Sequence, residues 1–314
     1  MSFFDLFTRL FRAFNYRNAG SDILASSVID HTRAEEWGIA YVDGAGRRRR
    51  TDVPYLLPKD DQEIQRLDYQ HYILRQVLQG NISAPFQLEA QQGYVLDVGC
   101  GSGRWASEVA TSYPHLQVIG LDLEEANIKA SSRPLNYQFT QGNVLEKLPF
   151  PDESMTYVHQ RLLVAAIPAA KWPWVVQELA RVTRRGGWVE LVEMGGGFVS
   201  EGAATQQFMA WFRQLSQMRG IDLEVMGRLD ILLQQAGLHH VQKKTQNLPV
   251  GSWGGRMGEL LARDMLSGWP SLQPLCQQYL NIPKETFDAV IASLEAEWNS
   301  HQTEYEVYVV YGQK

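Results

Sequence analysis

Residues 95 to 103 read Val-Leu-Asp-Val-Gly-Cys-Gly-Ser-Gly, an apolar strand that turns acidic at Asp97 and runs into Gly-x-Gly-x-Gly. Alternating glycines allow a tight turn whose bare backbone can lie against a ligand. Arg104 to Tyr113 follows as a helix, stopped before Pro114. The next apolar run, Gln117 to Leu121, leads into Asp122. Strand, glycine turn, helix and a second strand closed by an acid are the parts of a parallel α/β sheet that takes a nucleotide-like ligand at its strand ends.

The pattern continues with a third strand, Tyr137 to Thr140, and a fourth, Met155 to His159. A helix over Lys171 to Val182 leads through Arg185-Gly186-Gly187 into a fifth strand, Trp188 to Val192. Crossover helices between strands imply parallel pairing with right-handed connections. Gly195-Gly196-Gly197 reads as a flexible joint. Helices follow over about 203–219 and 222–236, then strands over Leu238 to Leu248 and Glu304 to Tyr311. Upstream, Tyr41 to Gly44 and Arg47 to Thr51 read as a hairpin. Asp60 or Asp61 can cap a helix that runs to about Leu78. The expected organisation is an N-terminal cap with helices over 1–90, a Rossmann-like core over 91–248, a helical cap insertion over 249–300 and a closing strand over 301–314.

Composition narrows the classes. Hydrophobic residues make up 45% and charged residues 20% of the 314, a globular balance. The 29 basic and 35 acidic residues give −6, which does not suggest a nucleic-acid binder. Two cysteines, Cys100 and Cys276, make no disulfide framework, so a reducing, cytoplasmic setting is expected. No stretch approaches the roughly 18 apolar residues that span a bilayer. Phe3, Phe4, Leu6, Phe7, Leu10, Phe11 and Phe14 recur at helical spacing and predict a helix that packs on the core or on a second copy, making a homodimer. His239-His240 has no partner at metal-ligand spacing, so no metal is expected.

The chemistry of the turn selects between cofactors. A dinucleotide site sets its pyrophosphate on a helix N-terminus, which an acid at the strand end would repel. Asp97 instead suits the ammonium of a methionine moiety, which favours S-adenosylmethionine over a dinucleotide. Gly99, Gly101 and Gly103 would form the cradle, and Asp122 would accept from both ribose hydroxyls. Asn143, after the third strand, can meet the adenine amino group, with Leu123 and Val144 sandwiching the ring. Cys100, inside the glycine turn, reads as a small packed residue and not as a nucleophile.

At these residues, over about 94–193, the chain resembles class I methyltransferases. Tyr55-Leu56-Leu57-Pro58-Lys59-Asp60-Asp61, Arg66 to His71, Tyr157 to Arg161 and Gly186 to Glu193 are similar to the LaeA-like methyltransferases of fungal secondary metabolism. Members of that family tend to carry Asn at Lys59 and Thr in the glycine turn, where this chain has Cys100 and Ser102. The resemblance implies a mostly parallel seven-stranded sheet with the last strand antiparallel. It also implies a role in natural-product pathways, through methylation of a small molecule or through regulation.

Methyl transfer draws much of its catalysis from positioning and water exclusion. A base is needed only where the acceptor loses a proton. The candidates are His159, His71 and Glu193, with Arg161 as a substrate contact. The expected acceptor is a small, largely apolar molecule held under the aromatic and Met-rich stretch 195–300. The alternatives are a scaffold that binds the cofactor without turnover, and a protein methyltransferase. The run Arg47 to Arg50 reads as a solvated hairpin strand or an anion site.

Overall fold

The computed structural model describes residues 40–43, 46–126 and 133–314. The aromatic N-terminal helix and its dimer contact lie outside these residues. The chain opens on a small antiparallel hairpin, β1 (Ala40–Val42) and β2 (Arg48–Arg50). Helix α1 (Asp61–Val77) starts at Asp60, whose carboxylate accepts from the Glu63 amide at 3.0 Å. It buries His71, Ile73 and Leu74.

Strand β3 (Tyr94–Val98) then leads through the glycine turn into α2 (Arg104–Ser112), and β4 (Gln117–Asp122) and β5 (Tyr137–Gln141) follow. Strand β6 (Met155–Arg161) runs two residues further than expected, which carries Arg161 onto the strand end. Helix α3 (Trp172–Val182) passes directly into the long strand β7 (Thr183–Val199). Gly195 to Gly197 are therefore no joint. They lie inside β7, where its register against the final strand shifts between Met194 and Phe198, a bulge that glycine backbone accommodates. Helix α4 (Ala203–Met218) follows. The expected helix over 222–236 is a 3₁₀ segment, Leu223–Arg228, that continues into α5 (Leu229–Gln235). Strand β8 (His239–Pro249), helices α6 (Gly255–Gly268), α7 (Gln273–Leu280) and α8 (Lys284–His301), and strand β9 (Glu304–Gln313) complete the chain.

Seven strands form one sheet in the order β5-β4-β3-β6-β7-β9-β8. Strands β3 to β7 pair in parallel, and β9 runs antiparallel between β7 and β8. The central strands are buried almost continuously, with Leu96, Val98, Val158 and Leu191 fully enclosed, as a covered parallel sheet requires. The sheet order reverses at β3, between β4 and β6, and that switch point opens a crevice at the strand carboxyl ends.

The aromatic residues of the C-terminal third extend the hydrophobic core of the sheet. Phe208 stacks on Trp269 at 4.2 Å between centroids, Phe198 meets Tyr305 at 4.4 Å, and Trp211 stacks on Phe287 at 5.8 Å. Trp298 is fully buried and donates from Nε1 to Thr205 Oγ1 at 2.9 Å. These side chains are spent on packing one another.

Candidate active site

A cavity of about 460 Å³ lies over the switch point, within the size range of small-molecule sites. Its floor is the glycine turn. Gly99 and Gly101 take φ of 69° and 53°, a left-handed conformation that favours glycine. A Cβ on Gly99 would stand 2.6 Å from Leu163 Cδ1, and one on Gly101 would stand 3.2 Å from Leu67 Cδ1. Gly103, also left-handed, serves as the N-cap of α2 and is not part of the cavity wall. The Cys100 thiol is pushed well above its ordinary value by burial, as befits a packed residue.

Asp97, Asp122, Leu123, Asn143 and Val144 all line this cavity. The structure thus brings together the acid, glycine and adenine-side residues that the sequence singles out. Two roles change in detail. Asp122 accepts from the Gly101 amide on Oδ2 (2.9 Å), and from the Leu123 amide (2.7 Å) and Lys59 Nζ (2.8 Å) on Oδ1. With about four lone-pair sites on a carboxylate, one remains on Oδ2, so direct acceptance from both ribose hydroxyls is not available in this arrangement. Asn143 Oδ1 accepts from the Leu145 amide at 3.0 Å, which fixes the side chain in a local turn and leaves that oxygen a second lone pair.

The three candidate bases are not in the wall. His159 is 1% exposed, donates from Nδ1 to Asp97 Oδ1 at 2.8 Å, and lies flat on Trp105 with centroids 3.9 Å apart and planes 3° apart. A carboxylate only accepts, so Nδ1 carries the proton. Glu193 is wholly buried and accepts from the amides of Leu163 (3.0 Å) and Val164 (3.1 Å), so it holds the loop after β6. Burial raises its pKa to about 8. His71 accepts on Nδ1 from Arg161 Nη2 at 3.1 Å, and its Nε2 lies 3.1 Å from Glu108 Oε2. Burial, reinforced by the charge of Arg161, lowers its pKa to about 4 and keeps the ring neutral.

Arg161 does line the cavity. Burial lowers its pKa, and among the described residues no carboxylate lies within ion-pair distance of its guanidinium. The other lining cations are paired. Arg48 meets Glu124 at 2.9 and 3.0 Å, Arg50 meets Asp52 at 2.9 Å and also Glu124, and Lys59 meets Asp122. The arginine run is therefore ion-paired and not an open anion site, with Arg48 alone remaining exposed as a solvated strand would be. Arg49 is 3% exposed, held by Asp43 at 2.6 Å and by the carbonyls of Leu56 and Ser271. The hairpin clasps Glu124, just after β4.

The rest of the wall comes from Val53, Tyr55, Leu57, Ile64 and Leu67 of the N-terminal segment, and from Leu162, Leu163 and Ala166 after β6. No lining residue lies beyond Ala166, so the aromatic stretch 195–300 does not supply the pocket expected of it. A buried ionic network stiffens the roof: Arg66 bridges Glu63 (2.6 Å) and Asp264 (3.0 Å), Gln70 donates to Asp264 at 3.0 Å, and Tyr55 donates to Glu63 at 2.9 Å. Sequence reading missed Lys59, Glu124 and Trp105. The signal for Glu124 was the basic run Arg47 to Arg50 in a chain where Glu124 and Glu125 come just after Asp122 and Leu123. Among the described residues no group of side chains could hold a metal ion, and no helix is long and apolar enough to cross a membrane.

Residues 95–187 match the family model described as a methyltransferase domain. That match, with the sheet order and the glycine turn, assigns residues 95–187 to a methyltransferase domain built on a mostly parallel, Rossmann-like sheet. More narrowly, the chain is similar to the LaeA-like proteins of secondary metabolism. It is 31% identical to the "Secondary metabolism regulator laeA" of Aspergillus fumisynnematus over 63% of this chain and 54% of that one. It is 25% identical to the "N-methyltransferase gliN" of Aspergillus fumigatus over 78% of this chain and 91% of that one. It is 35% identical to the "Methyltransferase str3" of Strobilurus tenacellus over 44% of this chain and 47% of that one. The chain spans about half the length of the LaeA relatives that it matches.

Proposed function

We propose that this protein transfers a methyl group from S-adenosylmethionine to a small, largely apolar acceptor of the natural-product type. The observation that carries the reading is the mixed lining of one cavity. Acids, glycines and an amide line it together with the apolar Val53, Leu57, Ile64, Leu67, Leu162, Leu163 and Ala166. The cofactor fits the residues present. Asp97 Oδ2 is buried with no hydrogen-bond partner, and such an oxygen is costly unless a ligand supplies a donor. The glycine turn leaves room that any side chain would fill.

S-adenosylmethionine would supply a sulfonium-activated methyl group, for which the acceptor is the nucleophile and the thioether the leaving group. The chain's part is to bind, align and exclude water. Asp97 would hold the ammonium, Asp122 with Lys59 the ribose, and Asn143, Leu123 and Val144 the adenine. The apolar wall and the clasping hairpin would keep water from the reacting atoms. Among the described residues no histidine lines the cavity. The acceptor is accordingly one that arrives already nucleophilic or gives its proton to water. Arg161, without a carboxylate partner, is suited to an anionic or carbonyl group of the bound molecules.

The relatives named methyltransferases support an enzyme, whereas those named regulators favour a second reading, a cofactor-binding regulator without turnover. Release of S-adenosylhomocysteine separates the two. Release with a metabolite extract and not with protein supports the proposal. Release with protein alone would make the acceptor a polypeptide, and no release with either, despite cofactor binding, favours the regulator.

A further inference from the structure

We infer that His159 is a positioning residue for the cofactor, acting through Asp97 to preset the carboxylate that receives the ammonium of the methionine moiety. The inference rests on the cofactor reading above and reassigns a residue that sequence reasoning sent to the acceptor.

The two residues sit opposite each other in register on adjacent parallel strands, β3 and β6. Asp97 is the last acid before the glycine turn and lines the cavity. Its Oδ1 is held by His159 Nδ1, and its Oδ2 has no partner. A carboxylate with one oxygen tethered has its plane and rotamer fixed, so the free oxygen is committed to one direction before any ligand arrives. His159 is itself immobilised. Its ring lies flat on Trp105, and the indole Nε1 of Trp105 donates to the Asn81 carbonyl at 2.7 Å. The anchoring therefore runs from the chain after α1, through an indole and an imidazole, to one carboxylate in the cavity wall. A histidine that only filled the core would not need its ring nitrogen on a buried acid whose other oxygen is left open.

Calorimetry with two ligands and three variants tests this. S-adenosylhomocysteine carries the amino-acid end, and 5′-methylthioadenosine lacks it. The expected result for His159→Leu is a loss of about 10-fold to 100-fold in S-adenosylhomocysteine affinity, as for a lost charge-assisted contact, with methylthioadenosine affinity held within about twofold. His159→Asn, whose amide nitrogen can stand where Nδ1 stands, should recover most of the loss. His159→Gln, which reaches the position of Nε2, should not; that pair decides the matter if the leucine variant does not fold. Equal weakening of both ligands would make His159 a packing residue and overturn the inference. So would unchanged S-adenosylhomocysteine affinity in His159→Leu or His159→Gln, or a failure of asparagine to restore it. If the unaltered protein binds neither ligand, the cofactor reading falls and takes this inference with it.

Discussion

Lys59 Nζ lies 2.8 Å from Asp122 Oδ1, so an N-terminal segment outside the sheet places a cation on the carboxylate that closes β4. The pair is partly shielded, with 22% and 12% of the two side chains exposed. Asp122 still keeps one lone-pair site for a ribose hydroxyl. Asp122→Ala should cost about 10-fold to 100-fold in S-adenosylmethionine affinity, read by calorimetry on a folded variant. Lys59→Met should cost no more than about fivefold, the scale of a solvent-accessible ion pair. Equal losses would mean that the ammonium, and not the carboxylate, holds the ribose.

Glu124 receives both Arg48 and Arg50 from the hairpin, so it is the hinge post of the clasp. Glu124→Ala should release bound cofactor several-fold faster in stopped-flow displacement while leaving the association rate close to unchanged, since contacts holding a closed state act mainly on dissociation. Salt should speed release from the unaltered protein more than from the variant, because ionic screening weakens pairs that the variant no longer has.

Asp264 is 3% exposed and serves Arg66 and Gln70 together. Removing it leaves Arg66 paired with Glu63 alone and takes a buried acceptor from both Arg66 and Gln70, so Asp264→Ala should destabilise the fold by about 1–3 kcal/mol in urea denaturation. Asp264→Asn keeps an acceptor oxygen for one of the two partners and should lose less. A variant as stable as the parent would show that water already serves the roof network.

His71 has an ordinary pKa of 6.5 and a folded one of about 4, lowered by burial and by Arg161. Between those values the unfolded chain binds the proton and the folded one does not, so the contribution of His71 is full above pH 6.5 and is lost as pH falls toward 4. Glu193, raised to about 8 from 4.5, slopes the other way across pH 4.5 to 8. The difference between the parent and His71→Asn isolates the histidine. That difference in unfolding free energy should fall by up to about 3 kcal/mol from pH 6.5 to pH 4, and a pH-independent difference would show that the ring is charged in the fold.

The sheet and the glycine turn were legible because local periodicity dictates them. Strands β3, β4 and β5 and helices α1 and α2 fall within a residue or two of their expected limits. The gathering of Asp97, Asp122 and Asn143 at one cavity was legible as well, since each sits at or just beyond the carboxyl end of one of three adjacent parallel strands. The acceptor side was not. His159 and Arg161 are two residues apart on one strand, yet Asp97 with Trp105 encloses the first while the second lines the cavity. That difference depends on side chains 54 or more positions away, which no spacing rule sees. The aromatic content of 195–300 misled for a related reason. Large rings signal burial, and whether they bury a ligand or one another is settled only by packing.

Strand β9 stands between β7 and β8 in the sheet, although it is made after both. While the chain leaves the ribosome, β7 and β8 have no hydrogen-bonding partner between them until residues 304–313 emerge. The parallel half of the sheet can assemble early from neighbouring segments, but two strand edges stay open through synthesis of α6, α7 and α8. Unpaired edges in nascent chains invite pairing with other chains. Strand β8 stays at the sheet edge in the finished molecule too, and its Lys243 and Lys244 put charge on a strand that would otherwise invite a second chain.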